Sequence, residues 1–81
     1  MSYKTTIHDE IKTIEFARLS GKNYVLLNVN DLQKDKLFGA GYYYICIKDG
    51  LSAFTWIKDE KEWMQLRKEL RGSDKETLLK Q

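Results

Sequence analysis

Four cationic side chains after residue 60 have the type and spacing that suit binding to phosphate or to an acidic partner. Placed at about 100° per residue around a helix, they fall within an arc of roughly 120°. These residues, called the cationic strip below, are Lys61, Arg67, Lys68 and Arg71. Clustered cations neutralise nucleic-acid phosphates, but the same pattern is typical of a solvated helix face, and Glu60 interrupts it. The strip therefore indicates nucleic-acid binding as an alternative function.

Two tyrosines and a threonine form a second candidate surface on a predicted β-hairpin. Tyr42 and Tyr44 are two residues apart on one strand, so they point to the same face, and Thr55 of the opposing strand shares that face. Tyrosine is enriched in protein interfaces, and its ring also stacks on nucleic-acid bases. Aromatic residues covered by a helix or loop would show the same pattern. We take these three residues as the candidate partner-binding sheet face.

Residues suited to catalysis or metal binding are sparse in this chain. His8 is the only histidine, whereas a metal site needs three or four converging ligands. Cys46 has no base nearby in sequence that would generate its thiolate. Asp59 and Glu60 are explained by a helix start, and the 39–41 stretch lacks the lysine of a phosphate-binding loop. The sequence therefore predicts no metal site, no cofactor and no enzymatic activity.

The tyrosines are positioned by a β-hairpin predicted over residues 42–57. Asp49 and Gly50 suit a two-residue type I′ turn, because both positions of that turn need positive φ. Pairing outward from the turn collects the bulky apolar side chains on one face, which is assigned to the core. These side chains are Tyr43, Ile45, Ile47, Phe54 and Trp56. A slip of one residue in the pairing would exchange the two faces.

The cationic strip requires a helix, which is predicted from about residue 60 to residue 71. Asp59 suits the N-cap position and Gly72 suits the position just after the last helical residue. The apolar stripe of this helix consists of Trp63, Leu66 and Leu70. We predict that the stripe packs on the sheet face that carries Ile45 and Phe54.

Residues 6–19 fit two interpretations. A helix is indicated by three isoleucines at i, i+4 and i+7, which are Ile7, Ile11 and Ile14. Thr6 would cap this helix, and Gly21 would end it in the left-handed conformation. The alternative is a strand over residues 12–19, because Phe16 lies on the far side of such a helix.

Two further elements complete the predicted fold. Residues 24–29 are rich in β-formers and predict a strand that is either covered on both faces or central in its sheet. Asn30 or Asp31 suits the cap of a short helical turn over residues 32–38. Together these elements predict an α+β domain with an antiparallel sheet of three or four strands and the 60–71 helix on one face.

Composition limits the classes of protein to which the chain can belong. The 81 residues predict a single domain over 1–81 with frayed ends at 1–5 and 73–81. A net charge of +2 is too small to indicate nucleic-acid binding by itself. A single cysteine fits a reducing compartment, so we expect a cytoplasmic protein, and no apolar run approaches the roughly 20 residues of a membrane span.

The function that this sequence favours is non-catalytic binding to another protein, as a regulator, inhibitor or accessory protein. The lack of a catalytic constellation and the spare aromatic surface both point this way. Nucleic-acid binding through the cationic strip is the alternative. An exposed sheet edge would allow edge-to-edge pairing, so a homodimer is expected as much as a monomer.

Overall fold

A computed structural model describes the backbone of residues 4–80 and the side chains of residues 4–71. Its elements are α1 (His8–Leu19), β1 (Val25–Leu27), α2 (Asp31–Gly39), β2 (Tyr43–Lys48), β3 (Leu51–Thr55) and α3 (Glu60–Lys80). In this part of the chain the three strands form one sheet in the order β1-β3-β2, and both pairings are antiparallel. The predicted α+β fold is therefore confirmed, with three strands and with α3 packed on the sheet.

The first element is the helix α1, so the strand interpretation of residues 12–19 is wrong. Ile14 is fully buried on the inner face of α1, whereas Phe16 and Leu19 are exposed on its outer face. Burial of the isoleucine stripe therefore outweighs the cost of leaving two apolar side chains in water. Gly21 has a φ of 85°, which confirms its predicted left-handed conformation after the helix.

The strand β1 covers only the Val25–Leu27 part of the predicted 24–29 strand and lies at one edge of the sheet. The central strand is β3, so a central position for β1 is wrong. The alternative, that both faces are covered, is confirmed. Leu27 packs in a cluster with residues of α1 and α2, and Leu26 packs in a cluster with residues of α3.

The helix α2 begins with a reciprocal cap, which confirms Asn30 as the capping residue. The Gln33 backbone N–H donates to Asn30 Oδ1 at 2.9 Å, and the Asn30 N–H donates to Gln33 Oε1 at 3.1 Å. The buried Gln33 amide also donates from Nε2 to the carbonyl oxygen of Thr6 at 2.9 Å. Thr6 therefore joins α1 to α2, while the N-cap position of α1 is held by Ile7.

The turn of the hairpin has the predicted conformation. Asp49 has a φ of 55° and Gly50 a φ of 78°, as a type I′ turn requires. The two pairs next to the turn are Lys48–Leu51 and Ile47–Ser52. The predicted register is therefore confirmed for the part of the hairpin nearest the turn.

A β-bulge in β2 then shifts the register by one residue. The next pair beyond Ile47–Ser52 is Tyr44–Phe54, so Ile45 and Cys46 together oppose the single residue between Ser52 and Phe54 on β3. The predicted pairing of Tyr44 with Thr55 is therefore wrong. Because successive strand residues alternate between faces, the extra residue exchanges the faces of the strand beyond it.

The bulge divides the predicted core face between the two sides of the sheet. Ile45 and Cys46 are both buried on the side of α3, and Phe54 and Trp56 pack on the side of α1 and α2. Ile47 is exposed instead of buried. The assignment of these residues to one common core face is therefore wrong, because a period of two does not continue through a bulge.

Each face of the sheet consequently has its own hydrophobic cluster. The buried residues on the α3 side are Ile45, Cys46, Ala53, Leu66 and Leu70. Those on the opposite side are Ile14, Leu27, Leu37 and Phe54. The predicted packing of the α3 stripe against Ile45 is confirmed, whereas its predicted packing against Phe54 is wrong. Since β3 is central, it is buried on both faces, and the sheet forms the middle layer of three.

The helix α3 starts at Glu60, close to the predicted position, but continues past the predicted end at residue 71 to Lys80. Gly72 therefore does not terminate the helix. A glycine inside a helix costs only about 1 kcal/mol relative to alanine, so it favours an end without enforcing one. The predicted fraying at 1–5 and 73–81 stays a prediction, because most side chains of these two ranges lie outside the described part of the chain. No helix in the described part of the chain is long and apolar enough to span a membrane.

Replacing Gly50 by valine should destabilise the protein by about 1–3 kcal/mol, because a β-branched residue is strained at positive φ. Apart from Gly50 and its two chain neighbours, no residue has an atom within 4 Å of the position that a Cβ would occupy, so the loss comes from the backbone alone. The same change at Gly39, which is helical and equally unobstructed, should have a much smaller effect. Equal losses at the two positions, measured by urea denaturation, would contradict the assigned turn.

Candidate functional site

A groove lined mainly by aromatic side chains lies at the outer edge of β2. Its volume is about 440 Å³, and its lining residues are Phe38, Tyr43, Tyr44, Ile57, Lys58, Glu60 and Trp63. We call this site the aromatic groove. The lining residues come from α2, from β2, from the segment after β3 and from the first turn of α3. The groove is therefore formed only when the three layers of the fold assemble.

The aromatic groove extends around the edge of the sheet. Tyr43 and Tyr44 are consecutive strand residues, so their side chains point to opposite faces. Tyr44 packs its ring edge-on against Phe54, with centroids 5.8 Å apart, on the side of α1 and α2. Tyr43 is paired with Thr55 and so lies on the α3 side. A groove that contacts both tyrosines must therefore cross the strand edge.

The α2 wall of the groove is held by one edge-on aromatic contact and one cation–π contact. Phe38, in the last turn of α2, meets Tyr43 edge-on with ring centroids 5.9 Å apart. Lys34, one helical turn earlier, holds its Nζ 5.0 Å from the centre of the Tyr44 ring. Both geometries fall in the range of attractive aromatic and cation–π contacts. These contacts hold the rings in place, although Phe38 remains 67% exposed.

The α3 wall of the groove is the indole ring of Trp63. The Arg67 guanidinium carbon lies 5.9 Å from the centre of this ring, within cation–π range. The indole Nε1 is buried and has no hydrogen-bond partner among residues 4–71. The part of the ring that solvent reaches is therefore carbon, and Trp63 presents an apolar surface to the groove.

The lining of the aromatic groove contains one cation and one carboxylate, and two further cations lie over its rings. Lys58 lines it directly, and Lys34 and Arg67 lie over two of its rings, while Glu60 is the single carboxylate in its lining. The ion pairs found within residues 4–71 both involve Lys4, so none neutralises these three cations there. The groove is therefore an apolar surface with a positively charged border.

The structure separates the three residues predicted to share an exposed sheet face. Tyr44 lines the aromatic groove and is partly exposed, but Tyr42 is half-buried in the cluster with Phe54. Thr55 is 0% exposed, and its hydroxyl donates to the carbonyl oxygen of Asn23 at 2.7 Å. The assignment of Thr55 to an exposed face is therefore wrong, because Thr55 points to the α3 side of the central strand and is bonded there to the segment that precedes β1.

Tyr42 is held in place by Glu15 of α1. The Tyr42 hydroxyl donates to Glu15 Oε2 at 3.1 Å. Burial, followed by this hydrogen bond and the negative charge of Glu15, raises the pKa of Tyr42 above its usual value of 10.0, and nearby Arg18 opposes the shift. The raised pKa means that folding favours the protonated phenol.

The stabilising effect of Tyr42 should therefore be lost at alkaline pH. Tyr42→Phe should cost about 1 kcal/mol at neutral pH, and the difference from wild type should persist up to about pH 10. Above that pH it should shrink as the phenol ionises through its raised pKa. Tyr44→Phe is the matched control, since the Tyr44 hydroxyl has no hydrogen-bond partner within residues 4–71. Urea denaturation from pH 7 to pH 11 measures both, and a constant difference across that range would contradict the assigned contact.

The four residues of the cationic strip are all exposed, as their helical spacing predicts. Met64, at the centre of the strip, is 57% exposed, which shows that this face of α3 points to solvent. Glu62 and Glu69 lie on the other flank of the helix, where they line a shallow depression with Asn23. Lys61 lines the same depression, so these two acids border the strip at that residue. Glu60 falls within the arc of the strip and also lines the aromatic groove.

The residues considered for catalysis are placed on different sides of the fold. His8 is exposed at the start of α1, while Cys46 is buried in the bulge on the α3 side of the sheet. The sheet thus lies between the only imidazole and the only thiol. No group of three or more histidine, cysteine or carboxylate side chains converges in a metal-binding arrangement among the described residues.

Of the four aromatic residues in the groove, only Tyr44 is identified as a site residue by the sequence. Tyr43 and Trp63 both lie on the α3 side, as predicted, but they are only half-buried there, and periodicity does not show how completely a covering helix shields a ring. Phe38 had a detectable signal, since it is an aromatic residue next to the buried Leu37 and immediately before Gly39. An aromatic residue off the buried face of a short helix is a signal of a contact residue.

Comparison of the chain with profiles of protein families, with curated proteins and with solved structures finds no significant match. Function is therefore inferred from two surfaces of the molecule itself. One is the aromatic groove at the edge of β2, and the other is the cationic strip on α3.

Proposed function

We propose that this protein is a non-catalytic binding domain that recognises another protein, and that the aromatic groove is its contact surface. The observation that carries the proposal is a set of four aromatic rings at the surface, from Phe38, Tyr43, Tyr44 and Trp63. Aromatic side chains with a few charged residues at their border are characteristic of protein interfaces. Rigid rings also bind with a small loss of conformational entropy, which makes them effective contact residues.

Other properties of the groove agree with a contact surface. It lies at a sheet edge, and its charged lining residues, Lys58 and Glu60, do not form an acid–base pair of a recognisable catalytic type. An apolar surface exposed to water costs free energy until a partner covers it. Clusters of exposed rings therefore mark interaction sites. A regulator, inhibitor or accessory protein in a reducing compartment such as the cytoplasm fits these features, since the single cysteine is a free thiol.

Nucleic-acid binding remains the second candidate because of one specific observation. All four residues of the cationic strip are exposed, and Glu62 and Glu69 border it only at Lys61. A surface that neutralises four phosphates should bind duplex DNA with a log–log salt slope of about −4. The net charge of +2 supports the protein partner over this alternative.

Substitution of Phe38 by serine should abolish protein binding while leaving the fold intact, because the ring is mostly exposed. Phe16→Ser is the matched control, since Phe16 is also a helical phenylalanine, is 74% exposed and lies outside the groove. Quantitative mass spectrometry of proteins retained from native cell extract measures binding. We expect a partner that wild type and Phe16→Ser retain and that Phe38→Ser loses, with a loss of at least about 2 kcal/mol in binding free energy.

A second pair of measurements separates the two candidate functions. Lys68 and Arg71 are reversed to glutamate together, because Arg67 contacts a groove residue and would affect both surfaces. The reversal should leave the protein partner bound. Submicromolar, salt-sensitive binding to duplex DNA that survives in Phe38→Ser and is lost in the double reversal would replace the proposed function by the alternative.

A further inference from the structure

We infer that the aromatic groove receives an extended acidic segment of the partner, which adds to the sheet as a fourth strand beside β2. This inference rests on the proposed function and specifies the conformation and the charge of the bound segment. It is carried by three features of the groove. They are the free edge of β2, the position of the bulge and the distribution of charge around the rings.

The first feature is the free edge. In the described part of the chain β2 pairs only with β3, so its other side presents backbone N–H and C=O groups that no strand engages. The groove lies along this edge, because Tyr43 and Tyr44 both line it from opposite faces. A segment bound in the groove is therefore within reach of backbone hydrogen bonds as well as side-chain contacts.

The second feature is the bulge, which limits the length of strand that can be added. Ile45 and Cys46 interrupt the regular alternation of β2, and a bulge disrupts pairing on a strand. Regular pairing is therefore limited to Tyr43 and Tyr44, the part of β2 that lines the groove, and only one of two consecutive strand residues directs its N–H and C=O to the free side. The bulge thereby protects the rest of the edge from unspecific pairing.

The groove also suits the alternating side chains of an added strand. Successive residues of the partner would point to opposite faces of the sheet. Those on one face would meet Tyr44 and the α2 wall, and those on the other face would meet Trp63 and the α3 wall. Because the groove contacts both faces of the edge, it accepts both sets of side chains from a short segment.

The third feature is charge, which indicates an acidic segment. Lys58 and Glu60 balance each other in the lining. Lys34 over Tyr44 and Arg67 over Trp63 add positive charge at the rings. A partner segment with acidic residues complements this border, whereas a basic segment would be repelled. A second copy of this chain fits less well, since β2 contains no acidic residue and ends in Lys48. The occupant that best matches the groove is therefore a segment of a different protein.

The inference is tested with random peptides of roughly eight residues, a usual strand length, displayed on phage and selected on the full chain. We expect the selected peptides to alternate apolar residues with at least one acidic residue. The tightest peptide is then synthesised in two forms that are N-methylated on alternate amides, either the odd or the even ones. Since only alternate amides of a strand face the neighbouring strand, one form should lose affinity by at least about tenfold and the other by no more than about threefold.

Two matched pairs of variants complete the experiment. Lys58→Glu should weaken binding of the acidic peptide by at least about fivefold, and Lys12→Glu, an exposed lysine on α1, should leave it unchanged. Phe38→Ser should abolish binding, and Phe16→Ser should not. Thermal denaturation verifies that each variant is folded.

The outcomes distinguish failure of the inference from failure of the proposed function. Peptides that require Phe38 but carry no acidic residue, or that tolerate both methylation patterns equally, would overturn the inference and leave protein binding at the groove supported. A library that yields no binder, or binders indifferent to Phe38→Ser, would overturn both. Phe38-dependent binding of oligothymidylate, or Phe38-dependent dimerisation in sedimentation, would assign the groove to single-stranded nucleic acid or to a second copy instead.

Discussion

Replacing Phe54 by alanine should lower the free energy of unfolding by about 3–5 kcal/mol, the range for a fully buried phenylalanine. Phe54 is 1% exposed and lies on the central strand, between Ile14 of α1 and Leu37 of α2. Its removal leaves a cavity that these helices cannot close without losing their own contacts with the sheet. A domain of this size has a net stability of about 3–5 kcal/mol, so the variant should be largely unfolded at 25 °C.

The matched control for this prediction is Phe16→Ala. It removes the same side chain from an exposed position on α1, so the change in stability should stay within about 0.5 kcal/mol. Urea denaturation followed by tryptophan fluorescence measures both variants, since the chain contains two tryptophans. Similar midpoints for wild type and Phe54→Ala would show that α1 and α2 do not pack on Phe54.

Replacing Leu66 by alanine should lower the free energy of unfolding by about 2–5 kcal/mol through the other layer of the fold. Leu66 is 4% exposed and packs with Ile45 and Ala53 on the face of the sheet opposite Phe54. Loss of this anchor should loosen α3 and displace Trp63, which forms one wall of the aromatic groove. We therefore expect Leu66→Ala to impair binding at the groove as well as stability.

Met64→Ala is the control on the same helix. Met64 is exposed at the centre of the cationic strip, so its truncation should change stability by less than about 0.5 kcal/mol. Because Phe54 and Leu66 lie in separate clusters on opposite faces, their effects test the two layers independently. A Leu66→Ala variant that melts with wild type would contradict the packing of α3, even if Phe54→Ala behaves as expected.

Features that depend on neighbouring residues were predictable from the sequence. The type I′ turn follows from Asp49 and Gly50, because few residues tolerate positive φ at both positions. The cap at Asn30 follows from an amide side chain that accepts the N–H three residues later. The start of α3 and its stripe follow from helical periodicity. In each case the energy that selects the conformation arises within a few residues, so the local sequence is sufficient.

The helix α1 illustrates an intermediate case. Its isoleucines indicated a helix, but Phe16 also fitted a strand, and local propensity did not separate the two. Burial of Ile14 against Leu27 and Leu37 separates them, and those contacts join residues far apart in the sequence. Tertiary packing therefore selects between two local structures of similar energy.

The candidate site depended on the bulge at Ile45 and Cys46, which no local signal in the sequence announced. One extra residue in β2 pairs Tyr43 with Thr55 and Tyr44 with Phe54, which turns Thr55 inward and places Phe54 on the opposite side from α3. Local propensities are the same with and without the bulge, because the same residues remain in extended conformation. The choice is made by packing, since the bulge buries both Ile45 and Cys46 against α3 and leaves the central strand covered on both faces.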